Sequence, residues 1–272
     1  MNNRLLGAIC GDVVGSTYEM RNTRTKDPKN VQLYLKQSDF TDDTIGTIAT
    51  ADALLHNKSF ESAYREWFKK YNARGCGHLF RVWVYDEDPH PYNSYGNGSG
   101  MRVSPVGYWC DSLGETFDMA EESAVCTHNH PEGVKGAQAI AGAIYMARNG
   151  SSKEEIKFEI LRRFYPEWAN KTLDEIKPDY SFDSTCQGSV PVAIIAFLES
   201  ENYEDCIIKA IAMGGDSDTL AAMAGSIANA FYKRIGIKLI EWVEDKLPDE
   251  MLDIITEFDN KVNEHIHNSV QY

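Results

Sequence analysis

Phe40-Thr41-Asp42-Asp43-Thr44 opens a run in which Ile45, Ile48, Ala49, Ala51, Ala53, Leu54 and Leu55 recur at helical spacing, with Asp52 the one charge among them. Far downstream, Gly214-Gly215-Asp216-Ser217-Asp218-Thr219 opens a second such run, carrying Leu220, Ala221, Met223, Ala224, Ile227, Ala228 and Ala230. Apolar residues three and four apart mark amphipathic or buried helices, so each acidic knot is predicted to sit at a helix N-terminus. Thr and Asp are good N-caps, and first-turn acids suit the helix dipole. One cap needs one side chain, however, and each knot uses three. Four carboxylates on two helix starts would repel one another unless a cation sat between them. Hard divalent ions such as Mg²⁺ and Mn²⁺ take carboxylate, hydroxyl and water oxygens, so the two knots are expected to converge on a metal site.

Upstream, residues 4–18 read as a helix rich in small residues (Gly7, Ala8, Gly11, Gly15, Ser16) that permit close packing. Asp12 within it is expected to make a buried structural hydrogen bond. Arg21 to Ser38 is polar, carries five Lys/Arg residues and lacks helical period; its length suits either a disordered flap or a functional loop. Ser59 to Tyr71 forms the next helix. Residues 72–100, full of Gly, Asn, Pro and Tyr, read as a long surface loop.

The end of that loop, Tyr92-Asn93-Ser94-Tyr95-Gly96-Asn97-Gly98-Ser99-Gly100-Met101-Arg102, is glycine-rich. Glycines let backbone N–H groups approach a ligand, and such amides ahead of a helix start suit a phosphate; an ordinary loop has the same composition. Helices are expected at about 114–126, at 131–148 with Pro131 in the favoured first position, and from the Ser152/Glu155 capping box to Phe164. Further ones follow at Thr172, over 183–198 with Pro191 kinking or starting it, over 202–213 and over 216–233. Two or three more close the chain before a polar tail past Val262. No stretch alternates with period two between turns. The fold class is therefore all-α, a single compact domain over residues 1–272.

A chain of 272 residues can bury a substantial core. Its net charge of −14 argues against general nucleic-acid or anionic-membrane binding. An anionic small ligand stays possible, because bound cations would reverse the local sign. Six cysteines with no Cys-x-x-Cys pair make neither a disulfide framework nor a zinc site. Asp12 interrupts the first apolar run, so no signal peptide is expected, and no window approaches a membrane span. A cytoplasmic, reduced, monomeric protein is the expectation. His128 and His130 lack metal-spaced partners, and His130 reads as a surface histidine at a helix start.

Five pieces in order carry a resemblance: Gly11-Asp12-Val13-Val14-Gly15 with Glu19, Phe40-Thr41-Asp42-Asp43-Thr44, Ser94-Tyr95-Gly96-Asn97-Gly98 with Met101-Arg102, Thr127-His128-Asn129-His130-Pro131, and the Gly214–Thr219 knot. Together the chain resembles the ADP-ribosylglycohydrolase family, which contains the dinitrogenase-reductase-activating glycohydrolase and the arginine- and serine-directed ADP-ribosyl hydrolases. The resemblance implies an orthogonal multi-helix bundle. It implies that Thr41, Asp42, Asp43, Asp216, Asp218 and Thr219 hold two Mg²⁺ or Mn²⁺ ions. Glu19 matches a mobile acid that reaches the metals, and Glu19, Asp42 and Asp43 become the candidates to orient or deprotonate a water. Ser94, Tyr95, Gly96, Asn97, Gly98, Ser99, Gly100 and Met101 match a loop on the diphosphate and distal ribose, and His128 a histidine beside ADP-ribose.

The implied activity is hydrolysis of the bond between ADP-ribose and an acceptor, with an ADP-ribosylated protein as partner and arginine slightly ahead. Serine, phosphate-ester, O-acetyl and nucleic-acid linkages stay open, as does a binding module without catalysis. Two other enzyme classes fit less well. The Asp-Asp-x-x-Asp of isoprenoid synthases fails because Gly46 breaks the spacing, and the Asp-x-Asp of aspartyl-phosphate phosphatases follows a strand rather than two glycines.

Overall fold

A computed structural model describes residues 3–20 and 23–269. Arg21 and Asn22, which begin the polar stretch, and residues 270–272 of the polar tail lie outside the described residues. The chain runs through α1 (Leu6–Glu19), α2 (Asp42–His56), α3 (Phe60–Lys70), α4 (His78–Tyr85), α5 (Gly98–Met101), α6 (Ser104–Trp109), α7 (Leu113–Val125) and α8 (Pro131–Arg148). Three short helices follow, α9 (Lys153–Ile156), α10 (Arg162–Phe164) and α11 (Leu173–Ile176), the first two joined by a π-helical turn. The last five are α12 (Cys186–Leu198), α13 (Tyr203–Ile211), α14 (Ser217–Tyr232), α15 (Ile237–Glu244) and α16 (Asp249–Ser269). Among the described residues, extended backbone pairs only in an isolated bridge between Gly96 and Thr185.

The small residues of α1 do what their size suggests. A Cβ on Gly11 would fall 2.1 Å from the Ala221 carbonyl oxygen, and one on Gly15 would fall 2.5 Å from Asp218 Cα. The helix therefore lies directly on α14, closer than any larger residue would permit. Tyr203, buried on α13, donates its hydroxyl to Gly7 O at 2.8 Å and fixes the far end of the contact. α14 is buried from Ser217 to Ala230, which is why its sequence is apolar on every side.

Asp12 ties the third element in. Its carboxylate is fully buried and accepts from Thr41 N (2.9 Å), Thr41 Oγ1 (2.7 Å), Thr44 N (3.1 Å) and Thr44 Oγ1. These donors include two of the backbone amides that a helix start leaves unpaired. The predicted structural role of Asp12 holds: it clamps the start of α2 against the middle of α1.

One expectation needs correction, and one open alternative narrows. The stretch 72–100 is not all loop, because α4 runs through it and buries Phe80, Trp83 and Val84 on one face. The polar stretch, over its described part, is an ordered loop rather than a flap. Lys26 Nζ donates to the carbonyls of Lys177 (2.5 Å), Pro178 (3.2 Å) and Tyr180 (2.7 Å), and Gln32 N donates to Tyr18 Oη at 2.7 Å. Pro191 lies inside α12, beyond its first turn. All six cysteines are free. Among the described residues no helix is long and apolar enough to cross a membrane.

Candidate active site

The ends of α1, α2 and α14 meet at the floor of a cavity of about 510 Å³. Two carboxylate trios lie there: Asp12, Asp43 and Asp218, and Glu19, Asp216 and Asp218. Within each trio, one oxygen from every member lies within 4.8 Å of the others. Asp218 belongs to both. Asp43, Asp216 and Asp218 are almost fully buried, while Glu19, at the C-terminal end of α1, is half-buried. The two knots predicted to converge do so.

The oxygens suit a hard cation by their own bonding. Thr41 Oγ1 has one proton and two acid neighbours, Asp12 Oδ1 at 2.7 Å and Asp43 Oδ2 at 3.3 Å. The shorter contact takes the proton, so Thr41 and Asp43 face each other oxygen to oxygen. Asp43 Oδ1 is buried with no hydrogen-bond partner, an arrangement that is costly for a carboxylate unless a cation satisfies it. Asp12 differs. Its two oxygens already accept four hydrogen bonds, so it serves as the support behind Thr41 and Thr44 rather than as a ligand.

Burial raises every one of these carboxyls, and neighbouring acids add to it at Asp42, Asp43, Asp218 and Glu19. Burial pushes Asp42 up to about 8, with the charges of Asp12, Asp216 and Glu19 adding to it. Asp43 and Asp218 lie well above the ordinary carboxylate range, first through burial and then through neighbouring acids. Asp216 and Glu19 are raised by burial too; Asn97 Nδ2, donating to Asp216 Oδ2 at 2.7 Å, and a hydrogen bond with Asp218 oppose the rise at Asp216, and the nearby Arg24 guanidinium opposes it at both. A metal ion would favour the opposite state, with all of them ionised.

Asp42 reaches the same cavity from the first turn of α2 and packs on Gly75. That glycine has φ +80°, and a Cβ there would sit 2.4 Å from Asp42 Oδ1. Thr219 Oγ1 donates to Asp43 Oδ2 at 3.3 Å and joins the two knots. Thr41 does not line the cavity itself; it stands between Asp12 and Asp43.

One wall comes from the glycine-rich stretch. Ser94, Gly96, Asn97, Gly98 and Met101 line the cavity together with His128. Tyr95, Ser99 and Gly100 do not. The Tyr95 ring is half-exposed and meets His130 edge-on at 5.3 Å. The helical turn of α5 rotates Ser99 onto Gly133 O (2.7 Å), and Gly100 packs against Met223, Val190 and Ile140. His130 is a capping residue, its Nδ1 accepting from Glu132 N at 3.1 Å. Apolar side chains complete the lining: Tyr92 from the start of the same stretch, and Leu79 and Phe80 of α4 and Phe182, which were not foreseen. The Arg24 guanidinium lies 4.6 Å from the centre of the Phe182 ring. Only the period of Phe80, Trp83 and Val84 could have signalled part of this apolar lining.

The family profile described as ADP-ribosylglycohydrolase matches residues 3–266. The ADP-ribosylarginine hydrolase Tri1 of Pseudomonas putida is 27% identical over 294 residues, covering 92% of this chain and 76% of the relative. The ADP-ribosylhydrolase ARH3 of Homo sapiens is 26% identical over 309 residues, covering 84% of each. A solved structure titled ADP-ribosylglycohydrolase-related protein complex superposes with a TM-score of 0.69 at 22% identity, over 94% of this chain and 95% of that one, and so shares the fold. Nearly every residue, including both acidic knots, falls within the profile match, and the chain belongs to the ADP-ribosylglycohydrolase family of enzymes.

Proposed function

We propose that the protein hydrolyses the bond between ADP-ribose and a protein side chain, arginine foremost, acting as a cytoplasmic monomer. Two Mg²⁺ or Mn²⁺ ions would be held by Thr41, Asp42, Asp43, Asp216, Asp218 and Thr219. The supporting observation is that Asp218 brings its carboxylate within 4.8 Å of oxygens of Asp43 and, in the second trio, of Glu19 and Asp216, at the floor of a cavity of ligand size. When bound, such ions supply Lewis acidity toward ribose hydroxyls and lower the pKa of a water.

The chain's own groups do the rest. Cleavage at an anomeric carbon passes through an oxocarbenium-like state, and the surrounding carboxylates favour positive charge there. Glu19 is half-exposed and no side chain donates to its carboxylate among the described residues. It is the group best placed to take a proton from an attacking water, with Asp42 and Asp43 as the alternatives. Asn97 holds Asp216 in register, and the Gly96–Gly98 backbone lines the wall where a diphosphate would lie.

Arginine leads because the Pseudomonas putida relative is named an ADP-ribosylarginine hydrolase. The test is a panel of mono-ADP-ribosylated arginine, serine and nucleic-acid substrates, with and without Mg²⁺. Metal-dependent release, fastest from arginine, is expected. Turnover that survives exhaustive chelation would remove the metal from this reading. Binding of ADP-ribose without release from any substrate would leave only a binding module.

A further inference from the structure

Among the described residues Arg102 is the largest fully buried side chain, 1% exposed. No carboxylate pairs with it among the described residues. Its guanidinium stands 4.0 Å from the centre of the Tyr64 ring and 5.6 Å from that of Phe80, and it donates to Ser123 O at 3.3 Å and Thr127 Oγ1 at 2.9 Å. Thr127 Oγ1 in turn lies 2.7 Å from His128 Nδ1.

The direction of this chain follows from counting protons. A guanidinium only donates, so Thr127 Oγ1 accepts from Arg102. Its own proton then goes to His128 Nδ1 at 2.7 Å in preference to the neighbouring Cys126 Sγ, since sulfur is the weaker acceptor. Were Nδ1 protonated instead, the buried Thr127 proton would be left with only the weak sulfur acceptor of Cys126. A neutral imidazole carries one proton, which must therefore sit on Nε2. Burial and the Arg102 charge keep the ring neutral. Nε2 has no protein partner among the described residues and faces the cavity beside the glycine-rich wall. A Cβ built on Gly98 would lie 3.2 Å from Nε2, and one on Gly96 would lie 3.6 Å away.

We infer that Arg102 and Thr127 are positioning residues that lock His128 as its Nε2–H tautomer, a neutral hydrogen-bond donor aimed at an acceptor oxygen of the substrate. The substrate half of this inference rests on the reading given under Proposed function; the tautomer lock does not. A donor fixed in this way keeps its proton across the pH range in which an ordinary histidine changes charge.

The test compares Thr127→Val, which removes the hydroxyl at nearly constant shape, with Thr127→Ser, which keeps it. The ring ¹⁵N shifts of His128 in the free protein should show a protonated Nε2 and a bare Nδ1 in the wild type and Thr127→Ser, and mixed tautomers in Thr127→Val. With ADP-ribose as the probe, Kd should rise about tenfold in Thr127→Val and stay within about twofold in Thr127→Ser. KM should rise with it while kcat changes little. A wild-type Nδ1–H, or a Thr127→Val ring still wholly Nε2–H, would overturn the lock. An intact lock with no change in ADP-ribose affinity would overturn the donor role. Wild-type protein that does not bind ADP-ribose at all would instead refute the functional reading, with the ring shifts still deciding the tautomer.

Discussion

Asp218→Asn is expected to lower the rate of ADP-ribose release by about 10³-fold or more, equivalent to about 4 kcal/mol of lost transition-state stabilisation. Asp218 is the one carboxylate common to both trios, so its loss weakens two cation sites together. The fold should survive. Asp218 Oδ1 accepts from Thr219 N at 2.9 Å, which an asparagine carbonyl can still do, and an asparagine amide can still hydrogen-bond Asp216. Kinetics with saturating Mg²⁺, checked by circular dichroism, measure this. Activity within about tenfold of wild type would mean that Asp218 does not link the two halves of the site.

The second large effect is on stability. Asp42, Asp43, Asp216, Asp218 and Glu19 are all raised above ordinary carboxylates by burial, and all but Asp216 further by one another, with the Arg24 charge and the Asn97 hydrogen bond opposing this only in part. Between the unfolded carboxylate range near 4 and about 8 for Asp42, the folded metal-free protein binds more protons than the unfolded chain. Its stability is therefore highest at low pH within this window and falls as pH rises. The Tm of chelated protein should drop by about 5–10 °C from pH 5 to pH 8, since about 1 kcal/mol moves the Tm of a chain this size by about 2–4 °C. Millimolar Mg²⁺ should recover most of that loss at pH 8 and little at pH 5, where protons compete for the same oxygens. Calorimetry at the two pH values decides it. An equal Mg²⁺ effect at both, or none, would show that the carboxylates are not the binding groups.

Much of this site was legible because its parts are local. α2 and α14 announce themselves by apolar periodicity, and Thr41-Asp42-Asp43 and Asp216-Ser217-Asp218 are contiguous knots. The close approach of α1 to α14 could be read from Gly7, Gly11 and Gly15, since small residues at helical spacing have few other uses. What sequence could not supply was direction. Ser99 and Gly100 sit among cavity-lining neighbours, yet one turn of α5 points them into the core, and Tyr95 turns outward to His130. α4 was hidden because it is only eight residues long and lies between Gly75, Gly77 and Pro89, so turn composition masked its period. Phe182 and Leu79 reach the cavity through tertiary packing, with no local pattern to mark them. The support given by Asp12 was foreseen as a buried hydrogen bond, but its partners, Thr41 and Thr44, lie some thirty residues away.

The most direct measurement is an anomalous difference map from a crystal grown with Mn²⁺. Two peaks are expected on either side of the Asp218 carboxylate, one beside Asp43 and one beside Asp216, each at metal–oxygen bonding distance. No peak at Asp218, or manganese bound only at acids elsewhere on the surface, would contradict a shared site built from the two helix starts.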